Sequence, residues 1–191
     1  KAAVQAAVAK TVDGLGGLDV LVNNAGVLVG SPAHSTSEAT FDANVNTNTR
    51  APYLMMDACF PLLKQRRGNV VNVSSVTGMQ SFANSMAYCV SKAGTDMMTK
   101  CAALDFAPDG VRVNSVNPGV VKTELQRRGG MTDEAYAAFL ERSKVTHPLG
   151  RVAEPDEVAE LICFLADNSK AGFITGAIIP IDGGRACLGA R

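Results

Sequence analysis

Asp19-Val20-Leu21-Val22-Asn23-Asn24-Ala25-Gly26 is the stretch from which the fold of this 191-residue chain is read. Its apolar residues run together rather than alternating, which marks a strand covered on both faces. The run stops at two asparagines and a glycine, residues that fix a turn through their side chains or let backbone approach a ligand closely. A loop with no ligand has the same composition, so the turn gains meaning only from its surroundings.

On the amino-terminal side, Val4, Val8, Val12 and Leu15 recur at helical spacing and stop at Gly14, Gly16 and Gly17. On the other side a helix is expected from about Phe41 to Lys64, then a turn at Arg67-Gly68-Asn69 and a β-branched strand through Val70, Val71 and Val73. The next helix spans about Ser85 to Phe106 and ends at Pro108-Asp109-Gly110. Val111, Val113 and Val116 then form a strand that stops at Asn117-Pro118-Gly119. Residues 122–150 are polar and broken by Gly129-Gly130 and Pro148, and read as a lid over a site. Pro155, Asp156 and Glu157 open a last helix with the apolar stripe Val158, Leu161, Ile162, Leu165. A final strand, Ala177 to Ile181, ends at Asp182-Gly183-Gly184.

Strands separated by helices give a single α/β domain with a Rossmann-like parallel sheet and helices on both faces. Ligands of such sheets bind beyond the carboxyl ends of the strands. The informative positions are therefore 23–26, 74–78, 117–123 and 182–184, where polar and glycine residues cluster.

Eighteen basic residues balance eighteen acidic ones without long runs of either sign, which leaves no footprint for nucleic acid or an anionic membrane and points to a small-molecule partner. The five cysteines, Cys59, Cys89, Cys101, Cys163 and Cys187, are scattered and form no C-x-x-C pair, so neither a disulfide framework nor a metal site is expected. A reducing, cytoplasmic setting fits that pattern. No apolar run approaches the ~18 residues of a membrane span.

Tyr88 and Lys92 lie four apart on the helix expected from Ser85, so they share a face. A neighbouring ammonium stabilises a phenolate and draws the phenol toward the working pH range. Ser75 follows the preceding strand, and its hydroxyl is placed to donate to a substrate oxygen as charge develops there. Each feature alone is ordinary: Tyr-x-x-x-Lys occurs on solvated helix faces, and a serine after a strand is commonly a cap.

Together these residues resemble the short-chain dehydrogenase/reductase family. The resemblance rests on residues 19–26, on Asn48 within the stretch from Phe41-Asp42 to Arg50, on Val71-Asn72-Val73-Ser74-Ser75 and on Tyr88-Cys89-Val90-Ser91-Lys92. Arg112-Val113-Asn114, Asn117-Pro118-Gly119, Pro148-Leu149-Gly150-Arg151 and Asp182-Gly183-Gly184 complete it. It implies an oxidoreductase that interconverts a secondary alcohol and a ketone with NAD or NADP. Tyr88 would be the general acid/base, Ser75 the donor to the carbonyl, Lys92 the modulator of the phenol and a ribose ligand, and Asn48 the anchor of a relay water. Asn23, Ala25 and Gly26, with Pro118, Gly119, Val121 and Thr123, would line the cofactor alongside Tyr88 and Lys92. The last segments are similar to those of 3-oxoacyl-carrier-protein reductases and their relatives, and a homodimer or homotetramer is implied.

The family's phosphate-binding glycine turn is not found: Gly14-Leu15-Gly16 ends a helix instead of following a strand, and Asp19 stands where the fingerprint needs glycine. By resemblance the chain starts at the third helix of the fold, on the order of 60 residues in. It is expected to be the carboxy-terminal catalytic part of a longer parent, inactive alone, with an exposed apolar sheet edge. The segment that selects NAD or NADP would lie upstream.

Met79, Phe82 and Met86, with Leu125, Tyr136 and Phe139 of the lid, are expected to make an apolar pocket for an acyl, steroid-like or other carbonyl substrate. Met55, Met56, Met97, Met98 and Cys101 belong either to a subunit interface or to the core. Two other readings stay open. One is hydrolysis through Ser75 and Lys92, which lacks a G-x-S-x-G elbow and leaves His34 and His147 as ordinary surface residues. The other is a non-catalytic binding or assembly module, favoured by the absent glycine turn.

Overall fold

A computed structural model describes residues 1–188. Four strands, β1 (Val20–Asn23), β2 (Asn69–Val73), β3 (Arg112–Pro118) and β4 (Ile178–Ile181), form one parallel sheet in that spatial order. Register places Val20 opposite Asn69, Asn69 opposite Arg112, and Ser115 opposite Ile178. The sheet ends at β1, whose outer edge pairs with no strand among the described residues, and Val22 there is 41% exposed.

Successive strand residues point to opposite faces, and both faces of the central strands are covered. Val70 packs with Leu21, Met56, Leu63, Ala102 and Val113 on the face carrying α3 (Ala51–Arg66) and α4 (Met86–Phe106). Its neighbour Val71 packs with Val116, Val158, Leu165 and Ala171 on the face carrying α7 (Pro155–Ala166) and α8 (Asn168–Ala171). That pleat explains the unbroken valine run: each residue has a core to enter.

The first helix, α1 (Ala2–Leu15), stops where Gly16 turns left-handed at φ 73°. The single helix expected from Phe41 to Lys64 is instead two. The first, α2 (Glu38–Val45), begins earlier because the Ser37 hydroxyl accepts the Thr40 amide. A π turn over Asn46–Arg50 then separates it from α3. That wider turn buries Asn48, and π turns of this kind collect at functional sites.

Within residues 122–150 the chain forms α5 (Leu125–Arg128) and α6 (Asp133–Thr146). Thr132 caps α6 by accepting the Ala135 amide at 3.3 Å. In the first turn of α7, Glu157 accepts the Glu154 amide at 2.9 Å and takes a two-pronged bond from Arg151, which holds its carboxyl down to about 2. Among the described residues no helix is long and apolar enough to cross a membrane, and no group of His, Cys, Asp or Glu side chains is arranged to hold a metal ion.

Candidate active site

Strand β2 delivers Ser74 and Ser75 to the carboxyl end of the sheet. Ser75 is extended, and its oxygen accepts the Thr77 amide at 3.2 Å, capping the short turn Val76–Gly78. With that lone pair used, the hydroxyl hydrogen remains free to be donated. One helical turn apart on α4, Tyr88 and Lys92 are both buried, at 5% and 4% exposure, although they carry polar heads. The Ser75 hydroxyl faces the Tyr88 phenol and favours its ionised form. The Lys92 ammonium donates to the Val73 carbonyl at 2.9 Å and lies 5.7 Å from the centre of the Tyr88 ring.

The electrostatics correct one expectation. Burial pushes the Tyr88 phenol up to about 12, with Ser75 pulling the other way and Lys92 not among the groups that lower it. Burial also brings the Lys92 ammonium down to about 8, opposed by the carboxylate of Asp96. At neutral pH the site therefore holds a protonated phenol beside a mostly charged amine.

Asp96 had no role in the sequence reading. Its Oδ2 accepts from the Asn117 amide at 2.8 Å and its Oδ1 from the Ser115 hydroxyl at 3.3 Å. The same Asn117 nitrogen donates to the Ser75 carbonyl at 2.8 Å, so one carboxylate braces α4, β3 and the serine turn. Burial raises the Asp96 carboxyl, while Ser74, Asn117 and Ser115 lower it by donating to its charged form. Gly78 packs so closely on Oδ2 that a methyl group there would collide with it. Spacing was the available signal, since 88, 92 and 96 share a helix face. Asp96→Asn would remove the charge and leave one acceptor oxygen for two donors, and is expected to cost about 1–3 kcal/mol in urea unfolding.

The cleft at this end of the sheet holds about 730 Å³. Ser75, Tyr88 and Lys92 open onto it together. Ala25 and Gly26 enter from the loop after β1, and Pro118, Gly119, Val121 and Thr123 from the loop after β3. Two assigned residues stand elsewhere. Asn23 does not line the cleft: its amide donates to Asn72 Oδ1 at 2.8 Å inside the sheet, and the pleat gives its place to Asn24. Asn48 lies behind the cleft, where its amide clamps the Val27 backbone through two 2.9 Å bonds and donates to Ser91 Oγ at 3.0 Å.

Of the apolar side chains expected in a substrate pocket, Leu125 lines the cleft; Met79, Phe82, Met86, Tyr136 and Phe139 do not. The Phe82 ring lies under the Arg185 guanidinium at 4.8 Å. Tyr136 supports the loop from behind, donating its hydroxyl to the Thr123 carbonyl at 2.8 Å with Arg127 over its ring. The apolar wall comes instead from Val158, Ala159 and Ile162 of α7, two of which belong to the apolar stripe expected on that helix. His147, expected at the surface, is 2% exposed and touches the loop after β3.

Two glycines of the cleft loops let neighbouring groups approach closely, Gly26 on the side of Lys92 and Asn48 and Gly119 on the side of His147 and Asp182. A methyl group added at Gly26 would lie 3.6 Å from the Lys92 ammonium and 3.4 Å from Asn48 Oδ1. One added at Gly119 would lie 2.8 Å from the His147 ring and 3.0 Å from the Asp182 backbone, closer than packing allows.

A family model described as enoyl-(acyl carrier protein) reductase matches residues 1–186. Among characterised proteins, the chain is 38% identical over 179 residues to trans-4-hydroxycyclohexanecarboxylate dehydrogenase of Sinomonas cyclohexanicum, covering 94% of this chain and 64% of that protein. It is 37% identical over 182 residues to the 3-oxoacyl-(acyl-carrier-protein) reductase of Thermotoga maritima, covering 95% and 71%. A crystal structure of a short-chain dehydrogenase/reductase of unknown function from Caenorhabditis elegans, solved with cofactor, superposes with a TM-score of 0.89 at 32% identity, covering 95% and 70%. The chain thus spans about two thirds of the length of these relatives.

Proposed function

The chain belongs to the short-chain dehydrogenase/reductase family, and on that premise we propose that it interconverts a secondary alcohol and a ketone with NAD or NADP. The observation that carries this reading is the convergence of Ser75, Tyr88 and Lys92 in one cleft with the backbone surfaces of the loops after β1 and β3. Such surfaces fit the flat nicotinamide and its ribose, with Lys92 within reach of sugar hydroxyls. Bound nicotinamide would supply or accept the hydride.

The chain's own residues handle the proton. In the reducing direction the protonated Tyr88 gives its proton to the carbonyl oxygen, to which Ser75 donates a hydrogen bond. The nearby Lys92 ammonium offsets the charge left on the phenolate. Asn48 would anchor the water that returns a proton to the site, while its amide holds the Val27 loop in place. In oxidation the same steps run backward.

Residues 122–150 act as the lid in this reading. Gly129 packs directly on the Leu28 carbonyl, leaving no space for a methyl group, so lid and β1 loop meet across the cleft. Gly129→Ala should part them, raising KM about threefold to tenfold with kcat little changed. Steady-state kinetics would show it.

The apolar wall of α7 suits a 3-oxoacyl, cyclic or steroid-like carbonyl compound, in keeping with the names of the relatives. Self-association is part of the proposal: Met97, Leu104 and Tyr53 stand 59%, 77% and 53% exposed on α3 and α4, while Met56 is in the core. The 191-residue chain, and any longer product of its gene, should be assayed with both cofactors against 3-oxoacyl thioesters and cyclic ketones. Nicotinamide absorbance should fall with at least one such pair. No cofactor binding by either product would overturn the reading.

A further inference from the structure

Both ring nitrogens of the buried His147 are committed. Nδ1 lies 2.7 Å from the Ser143 carbonyl oxygen, which only an N–H can satisfy. Nε2 lies 3.1 Å from the Val120 amide nitrogen, which needs a lone pair. The two contacts define a neutral imidazole protonated on Nδ1. Ser143 belongs to α6, and Val120 sits between the cleft residues Gly119 and Val121. The missing side chain of Gly119 makes room for the ring. One imidazole therefore ties the helix at the far end of the lid to the floor of the cleft.

We propose that His147 is a positioning residue, a clasp that holds the loop Gly119–Thr123 in its cleft-lining form only while its imidazole is neutral. A proton on Nε2 would set a second donor against the Val120 amide, leaving both without an acceptor. No other hydrogen bond to the Val120 amide is present to replace it among the described residues.

The charged groups around the ring come from four elements. Arg185 of the carboxy-terminal turn disfavours protonation, and Asp182 after β4 favours it. The Asp182 carboxylate is already engaged by the Gly184 and Ala186 amides at 2.9 and 2.7 Å. Arg142 of α6 faces Arg185, and the Arg151 to Glu157 pair closes the small cavity beside the ring. Burial is the largest influence and places the imidazole below its ordinary value, against the Ser143 bond. A depressed group contributes stability that is present above its unfolded value, ~6.5, and is lost as pH falls through the folded one. The clasp therefore opens on the acid side.

The chain contains two histidines, His34 and His147, so imidazole nitrogen-15 spectra can be assigned with one variant. His147 should show the Nδ1–H tautomer. Amide exchange at residues 119–123, corrected for intrinsic rates, should rise about tenfold between about pH 7.5 and about pH 5.5. In His147→Gln, whose carboxamide offers an oxygen and an N–H but does not titrate, that rise should vanish. An Nε2–H tautomer in the wild type, or the same rise in the glutamine variant, would overturn the proposal. The assignment can be made with a His34 variant, so the tautomer measurement does not depend on the His147 variant folding. The consequence for cofactor rests on the oxidoreductase reading: the nicotinamide Kd should weaken about tenfold over the same acid range in the wild type and stay flat in His147→Gln. Absence of cofactor binding at every pH would remove that reading while leaving the exchange result to decide the clasp.

Discussion

Tyr88→Phe is expected to lower kcat about 10²–10⁴-fold, the range for loss of a positioned general acid, while the cofactor Kd changes little. The substitution removes one oxygen and keeps the ring in a site that is 5% exposed. The Ser75 oxygen retains the Thr77 amide, so the turn that presents it stays capped. The lost interaction with Ser75 is worth about 1 kcal/mol, and desolvation of the phenol is relieved, so stability should move little. A fall in kcat with an unchanged melting temperature and cofactor Kd separates a chemical role from a structural one. Activity within a few-fold of wild type would remove Tyr88 from the reaction.

Lys92→Ala should damage both binding and turnover: about 10²–10³-fold in kcat from the lost positive charge, with a weaker cofactor Kd as well. Lys92→Met, which fills the same space, serves as the control for packing. The pH dependence gives a second signature. Since the Lys92 ammonium is brought down to about 8, its charge disappears as pH rises through that value, and wild-type kcat should fall on the alkaline side of it. Stability runs the other way. Between about 8 and the ordinary lysine value the unfolded chain binds more protons than the folded one, so the contribution of this group rises with pH across that window and is lost as pH falls through about 8. Opposed trends in kcat and unfolding free energy would identify Lys92 as a charge held at the expense of stability.

Local spacing carried the parts of the site that the sequence made legible. Val20 to Gly26 announced a strand and its loop because every residue of the signal is contiguous, although Val22 is exposed rather than buried. Tyr88 and Lys92 were legible because helical periodicity alone puts them on one face. What escaped depends on distant pairing or on backbone phase. Asp96 meets Asn117 across twenty-one positions, and only the packed sheet brings them together. Which of Asn23 and Asn24 faces the cleft is set by the pleat, and the first turned inward to Asn72. The π turn at Asn46–Arg50 leaves no compositional trace, yet it decides where Asn48 points. The stripe of α7 was read correctly as apolar, but a helix face can be core at Leu165 and cleft wall at Ile162. His147 carried no motif at all; its meaning comes from the two backbone groups that meet it.

The most direct measurement is a single turnover with cofactor carrying deuterium at the transferable position of the nicotinamide and a ketone accepted by the enzyme. Deuterium should be found on the carbinol carbon of the product in the wild type and be missing after the same interval in Tyr88→Phe with cofactor still bound. A wild-type protein that binds the cofactor and passes no label to any ketone, or a Tyr88→Phe variant that passes it at the wild-type rate, would contradict a proton-transfer site built from Ser75, Tyr88 and Lys92.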